Sequence, residues 1–182
     1  MKLLVTGGYG FIGSNFILKL LEEHEEFKIT NIDAELGGSN PKNLLKINNN
    51  KNYKFVKGNI TNHKLMEELI NECDIVVNFA AESFVDRSIK DANPFLVSNI
   101  RGAFTLMDIT TKQNKRFVQV STDEVFGDLK KGRSREKARR NAWCCGTIAS
   151  CRRRCARSRW MGGADGWVRC VVPHRYSLFD KR

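Results

Sequence analysis

The segment TGGYGFIG, residues 6–13, constrains this chain more than any other. An apolar run from Lys2 to Thr6 precedes it, and an amphipathic run follows. The order is therefore strand, glycine turn, helix. Gly7, Gly8, Gly10 and Gly13 allow a backbone with positive φ and a close approach that a Cβ would block. The helix that starts here presents unpaired N–H groups and a positive dipole end. This is the cradle a dinucleotide pyrophosphate needs. The competing reading is a tight strand-to-helix turn with no ligand.

The rest of the first 130 residues alternates strand and helix. Spacing predicts a first helix from Phe11 to Glu23, with Ile12, Phe16 and Leu20 on one inward stripe and Ile17 and Leu21 beside it. A second strand runs from Phe27 to Ile32 and ends at Asp33, and a short helix is expected near Asn43 to Ile47. Tyr53 to Lys57 reads as a third strand, and Asn62 to Glu72 as a helix. Asp74 to Phe79 is continuously apolar, as in a parallel strand covered on both faces. Asn93 and Pro94 suggest a capped helix start, with the helix continuing to about Lys112 and apolar around most of its circumference. Arg116 to Val120 is a fifth strand. The expected fold is α/β: a doubly wound, Rossmann-like parallel sheet of order 3-2-1-4-5, truncated after the fifth strand and followed by an irregular basic tail.

Charge divides the chain at the same place. Of its 182 residues, 1–130 hold 16 Lys and Arg against 17 Asp and Glu, whereas 131–182 hold 15 against 3. The overall excess of +11 thus says nothing about the first domain. Cys73 stands alone in that domain, while five cysteines and all three tryptophans fall in the tail. A single cysteine over so long a stretch fits a reducing, cytoplasmic setting. No run is long and apolar enough for a membrane span, and no leader pattern is visible. We expect residues 1–130 to form a dinucleotide-binding domain and residues 131–182 a basic tail rich in Cys, Trp and Arg.

In doubly wound sheets, ligands sit beyond the carboxyl ends of the strands. Here those ends carry the polar residues. Asp33, after the second strand, is placed to accept hydrogen bonds from ribose hydroxyls, which favours NAD over NADP; its alternative role is that of a turn residue. Asn59 and Ile60 follow the third strand, Ala80-Ala81-Glu82-Ser83 the fourth, and Ser121-Thr122-Asp123-Glu124 the fifth. Two adjacent acids at a strand end could serve as acid and base, although a solvated acidic loop is the commoner case. No metal-ligating pattern is present.

TGGYGFIGSNF at the start, VNFAAESFVDRSI at 77–89 and VSTDEVFGDL at 120–129 resemble the extended short-chain dehydrogenase/reductases, and within them the dTDP-glucose 4,6-dehydratases. The likeness covers about residues 1–129. It implies a lyase of deoxysugar biosynthesis that oxidises C4 of a nucleotide sugar, removes water across C5 and C6, and returns the hydride to C6. By this resemblance, Thr122 would hydrogen-bond the C4 oxygen. Asp123 would protonate the leaving C6 hydroxyl, and Glu124 would take the C5 proton. Gly7, Gly10, Phe11, Ile12, Gly13, Asp33, Asn59, Ile60, Phe79, Ala80, Ala81 and Ser98 would hold NAD, and Ser83 with Thr122 would touch the substrate. Asn99 sits where the family places an asparagine that braces the active site. The helix from Pro94 to Lys112 resembles the family's dimer-forming helix.

The chain also departs from the family. Asn59 replaces a usual Asp, Phe84 a usual His and Phe126 a usual Tyr. The superfamily's catalytic Tyr, with Lys four residues on, is missing: Tyr176 is the only tyrosine after Tyr53, and Asp180 stands at the Lys position. The substrate-binding region is missing too, so catalysis and dimerisation are expected to be impaired. From about Arg133 the composition turns from Lys, Asn and Ile to Arg, Gly, Cys and Trp. That change is expected of a frameshifted or foreign reading joined to a dehydratase N-terminus. Two other classes remain: a different sugar-nucleotide epimerase or dehydratase, and a non-enzymatic NAD- or RNA-binding protein using Arg152 to Arg154 and Trp160. Cys144, Cys145, Cys151 and Cys155 lack the paired spacing of zinc sites, and nucleic acid is the less favoured partner.

Overall fold

The computed structural model describes residues 1–121, 161–162 and 166–171. The elements in chain order are β1 (Lys2–Thr6), α1 (Phe11–Glu23), β2 (Lys28–Asp33), a 3₁₀ turn (Pro41–Ile47), β3 (Tyr53–Lys57), α2 (His63–Asn71), β4 (Ile75–Asn78) and α3 (Val85–Lys90). Then come α4 (Asn93–Phe95), a π-helical segment (Leu96–Gly102), α5 (Ala103–Lys112), β5 (Arg116–Val120), β6 (Met161–Gly162) and β7 (Gly166–Val171). The sheet order is β3-β2-β1-β4-β5-β7-β6. The first five strands are mutually parallel in the expected order.

The central strands β1 and β4 read as near-continuous apolar runs because each face of the sheet has its own core. Leu3 and Val5 join Ile17, Leu20, Ile29 and Val77 on the α1 side. Leu4 and Val76 point the other way, onto Met66, Leu69 and Ile70 of α2, Leu106 and Ile109 of α5, and Phe117. Fully burying each such side chain contributes roughly 1.5–3 kcal/mol, so strands with two apolar faces are held from both sides.

Four expectations need correction. The sheet does not end at β5: Gly166–Val171 pairs parallel to it, in a stretch whose sequence shows no strand period, and β6 adds an antiparallel edge. The inward stripe of α1 is Gly13, Ser14, Ile17 and Leu20, while Ile12 is 49 % exposed. Gly13 sets this rotation by lying against the Gly7 carbonyl, where a Cβ would collide. A glycine carries no hydrophobicity to signal an inward face. Asn93 is not a cap: Ala92 precedes α4 without a side-chain bond, and the Asn93 N–H instead donates to Asp91 Oδ1 at 2.9 Å. Finally, the long helix is interrupted by π-helical turns.

Candidate functional site

The glycine turn is built as the sequence requires. Gly7 has φ +70°, and a Cβ there would stand 2.6 Å from the Ala80 nitrogen and 2.7 Å from its Cα. Only glycine lets the turn after β1 pass this close to the chain leaving β4. The Gly7 N–H donates to the Ile32 carbonyl at 2.9 Å, and the Gly10 N–H to the Gly7 carbonyl at 3.2 Å. α1 then begins with no side-chain cap and no acid in its first turn. The N–H groups of its first turn therefore lack helical partners, and the turn is exposed at Phe11 (79 %) and Ile12.

Asp33 ends β2 beside this turn and is 5 % exposed. Its Oδ2 accepts the Tyr9 N–H at 3.0 Å. Its Oδ1 accepts the Glu35 N–H at 2.8 Å and the Ser39 hydroxyl at 2.7 Å. A carboxylate has about four acceptor positions, so Oδ2 keeps capacity for one further donor. Glu35, at φ 55°, is ion-paired with Lys57 on β3. Asn59 Oδ1 is taken by the Thr61 N–H and hydroxyl, both at 2.9 Å, which leaves its amide nitrogen as the group it can offer. Ile60 is buried against Gly102.

The loop after β4 is held from beneath and from the side. Asn78, fully buried, accepts the Thr6 hydroxyl and the Ala80 N–H, and it donates to Gln119 Oε1 at 2.7 Å. This row crosses the carboxyl ends of β1, β4 and β5. The Phe79 ring lies 5.1 Å from the Phe16 ring. Ala81 and Ser83 are exposed, and Ser98 is half-buried in the π-helical segment. Next to it, Asn99 grips both main-chain groups of Glu82. Phe84, with the Arg87 guanidinium 4.5 Å over its ring, closes onto Gly37 and Gly38 of the loop after β2.

The structure thus brings Gly7, Gly10, Phe11, Ile12, Gly13, Asp33, Phe79, Ala80 and Ala81 to one end of the sheet, with Ser83 and Ser98 on the adjoining segments. Thr122, Asp123 and Glu124 lie outside the described residues; Ser121, buried at the end of β5, is the last described position before them. Asn31, Asn78, Gln119, Phe84 and Arg87 are supports that spacing does not reveal, because a polar residue in a strand or loop shows its partner only in three dimensions. A depression of about 460 Å³ lined by Met1, Asp74, Gln113, Asn114, Lys115 and Arg116 lies at the opposite, amino end of the strands, away from this cleft. Among the described residues, no cluster of three or more His, Cys, Asp or Glu could hold a metal, and no helix is long and apolar enough to cross a membrane.

A glycine turn, an acid ending β2 and a cleft at the carboxyl ends of a parallel sheet define a dinucleotide-binding α/β domain. The chain belongs to the GDP-mannose 4,6 dehydratase family, whose model matches residues 4–143. It is similar to the low-salt glycan biosynthesis protein Agl12 of Haloferax volcanii, at 43 % identity over 75 % of this chain and 44 % of that protein. It is also similar to the dTDP-glucose 4,6-dehydratase of Mycobacterium tuberculosis, at 40 % identity over 71 % of this chain and 38 % of that one. Among solved structures, it resembles the dTDP-glucose 4,6-dehydratase of Bacillus anthracis in complex with NAD. That match has 44 % identity and a TM-score of 0.68, and covers 76 % of this chain and 43 % of that chain. The chain spans less than half the length of these relatives.

Proposed function

We propose that residues 1–121 bind NAD and that the chain carries the cofactor half of a dTDP-glucose 4,6-dehydratase. The observation that carries this reading is the cradle formed where Gly7 meets Ala80. It leaves main-chain donors at the start of α1 facing the cleft, with the Asp33 carboxylate beside them. The residues fit the group: Gly7 lets the turn pass against Ala80 where a Cβ would collide, α1 carries no competing acid at its start, and Asp33 retains an acceptor position. Bound NAD would supply a hydride acceptor for the sugar C4 and, once reduced, a hydride donor for C6.

In a complete enzyme of this kind the remaining steps would fall to three groups that this chain carries. Thr122 would hold the C4 oxygen through its hydroxyl. Glu124 would remove the C5 proton, made acidic by a ketone at C4, while Asp123 would give its proton to the departing C6 hydroxyl, so that water leaves and a C5–C6 double bond forms. No tyrosine follows with a lysine four residues on, so no phenolate is available to take the C4 hydroxyl proton. The chain by itself therefore binds the cofactor without turning over a nucleotide sugar. Leu96 and Phe104, exposed on the outer side of the long helix, are the surface a second copy would cover.

Calorimetric titration of the whole chain with NAD tests the reading. One site per chain is expected, with no 4-keto-6-deoxy product from dTDP-glucose. A folded chain that takes up no NAD overturns the cofactor assignment, and product formation overturns the inactivity.

A further inference from the structure

The structure assigns Asn31 a role as a positioning residue for the pyrophosphate-binding turn: from the middle of the sheet it fixes which main-chain N–H groups of TGGYGFIG remain for a ligand. This inference rests on the cofactor reading above and extends it to a residue that touches no ligand.

Asn31 is fully buried on β2, on the face that packs against α1. Its Oδ1 accepts the Gly8 N–H at 3.1 Å, and its Nδ2 donates to the Tyr53 hydroxyl oxygen at 3.0 Å. The Tyr53 hydroxyl also meets the Tyr9 hydroxyl, and the Tyr9 ring stacks 4.5 Å from Phe55. The path Gly8–Asn31–Tyr53–Tyr9 therefore closes on itself and grips two adjacent residues of the turn through the strands beneath it. The space over Gly8 is occupied by the Asn31 amide, where a Cβ would collide. The main chain of Tyr9 is held as well: its N–H goes to Asp33, and its carbonyl accepts the Asn40 N–H at 3.0 Å and Asn43 Nδ2 at 3.2 Å.

The consequence is selective. With the Gly8 and Tyr9 N–H groups turned inward to side chains, the donors left to the cleft are those at the start of α1. Asn31 can do this only in one amide orientation, oxygen toward Gly8. The Gly8 N–H, which can only donate, sets that orientation, and the Tyr53 hydroxyl completes it by accepting from the nitrogen. Without the Tyr53 hydroxyl the Asn31 nitrogen loses its acceptor and the amide is held from one side only. Without the Asn31 oxygen the Gly8 N–H is left buried and unpaired, and the turn reorganises to satisfy it.

Two probes separate this from a general loss of fold: ADP-ribose, which has the pyrophosphate, and adenosine, which engages only the Asp33 end. In the whole chain, Asn31→Leu should weaken ADP-ribose about tenfold and Tyr53→Phe about threefold, with adenosine changed less than about twofold in each, as expected for one lost hydrogen bond at the turn. Amide exchange at Gly8 should accelerate in both variants, a readout independent of any cofactor. If ADP-ribose binding and Gly8 protection are unchanged in a folded Asn31→Leu or Tyr53→Phe chain, the inference is wrong. It is also wrong if adenosine and ADP-ribose weaken together. If the parent chain binds neither probe, the cofactor reading falls first and takes this inference with it.

Discussion

Asn99 and Glu82 form a reciprocal clip: the Glu82 N–H donates to Asn99 Oδ1 at 2.8 Å, and Asn99 Nδ2 donates to the Glu82 carbonyl at 2.9 Å. A side-chain amide here mimics a strand neighbour for one residue of a loop. It sits in a π-helical segment, a local distortion often found at functional sites. The clip fixes the loop after β4 sideways while Asn78 fixes its start from below. Asn99→Ala should remove both bonds at a cost of about 1–2 kcal/mol and loosen residues 80–84. Hydrogen exchange at the Glu82 amide should rise and NAD affinity should fall several-fold. Unchanged protection at Glu82 would show that the loop is held by other contacts.

Gly7→Ala makes a sharper case. The residue lies at φ +70°, and the new methyl would stand 2.6 Å from the Ala80 nitrogen. Strain in the backbone and collision with main chain act together, and neither has a flexible side chain to absorb it. The expected loss is about 2 kcal/mol or more, with NAD binding abolished. Gly8→Ala should be damaging for a different reason, the Asn31 amide. A Gly7→Ala chain that melts with the parent and binds NAD normally would contradict this geometry.

The parts of this site legible in sequence are those with a local rule. TGGYGFIG announces itself because strand, glycines and helix are neighbours in the chain, and the acid ending β2 follows at a fixed distance. Strand order could be read because short alternating elements leave few right-handed solutions. What was hidden depends on contact between distant segments. Asn31, Asn78 and Gln119 look like ordinary polar residues in strands until Asn31 is seen to take the Gly8 N–H, and Asn78 to link Thr6, Ala80 and Gln119. The inward face of α1 was misplaced for a related reason. Apolar periodicity gives weight to Ile12, whereas the deciding contact is Gly13 on the Gly7 carbonyl, and absence of a side chain has no period. Asn93 followed by Pro94 imitates a capped start, but Asp91 takes the N–H that matters. The sequence of β7 shows no strand alternation, and its place in the sheet comes from pairing with β5.

Asp33→Asn tests whether the acid serves structure as well as ligand. Its two oxygens accept three donors from Tyr9, Glu35 and Ser39. Replacing one oxygen with an amine sets donor against donor at either end of the group, whichever way the amide is turned. The variant should lose about 1–3 kcal/mol of stability and bind adenosine and NAD more weakly by similar factors. This contrasts with Asn31→Leu, for which adenosine should be spared. Full stability in Asp33→Asn would mean that the three internal donors find water or other partners.

Alkaline pH should weaken the fold through two buried groups, Cys73 beneath the sheet and Tyr9 in the glycine turn. Burial pushes the Cys73 thiol from its ordinary 9.0 up to about 11, with Lys115 opposing in part. Burial and the neighbouring Tyr53 push the Tyr9 hydroxyl from 10.0 up to about 12. Both groups are neutral when protonated, so between the two values the folded chain keeps protons that the unfolded chain has lost. Their contribution is fully present below about pH 9 and declines as pH rises through the folded values, by up to about 1.4 kcal/mol per pH unit for each group. Urea midpoints should therefore fall steadily between about pH 9 and 11, and Tyr9→Phe should flatten the upper part of that fall. Cys73 should also resist iodoacetamide at mildly alkaline pH until urea unfolds the chain, a contrast readable by peptide mass spectrometry. A midpoint that stays level across that range, or rapid alkylation of Cys73 in the native chain, would mean that neither group is as enclosed as its surroundings indicate.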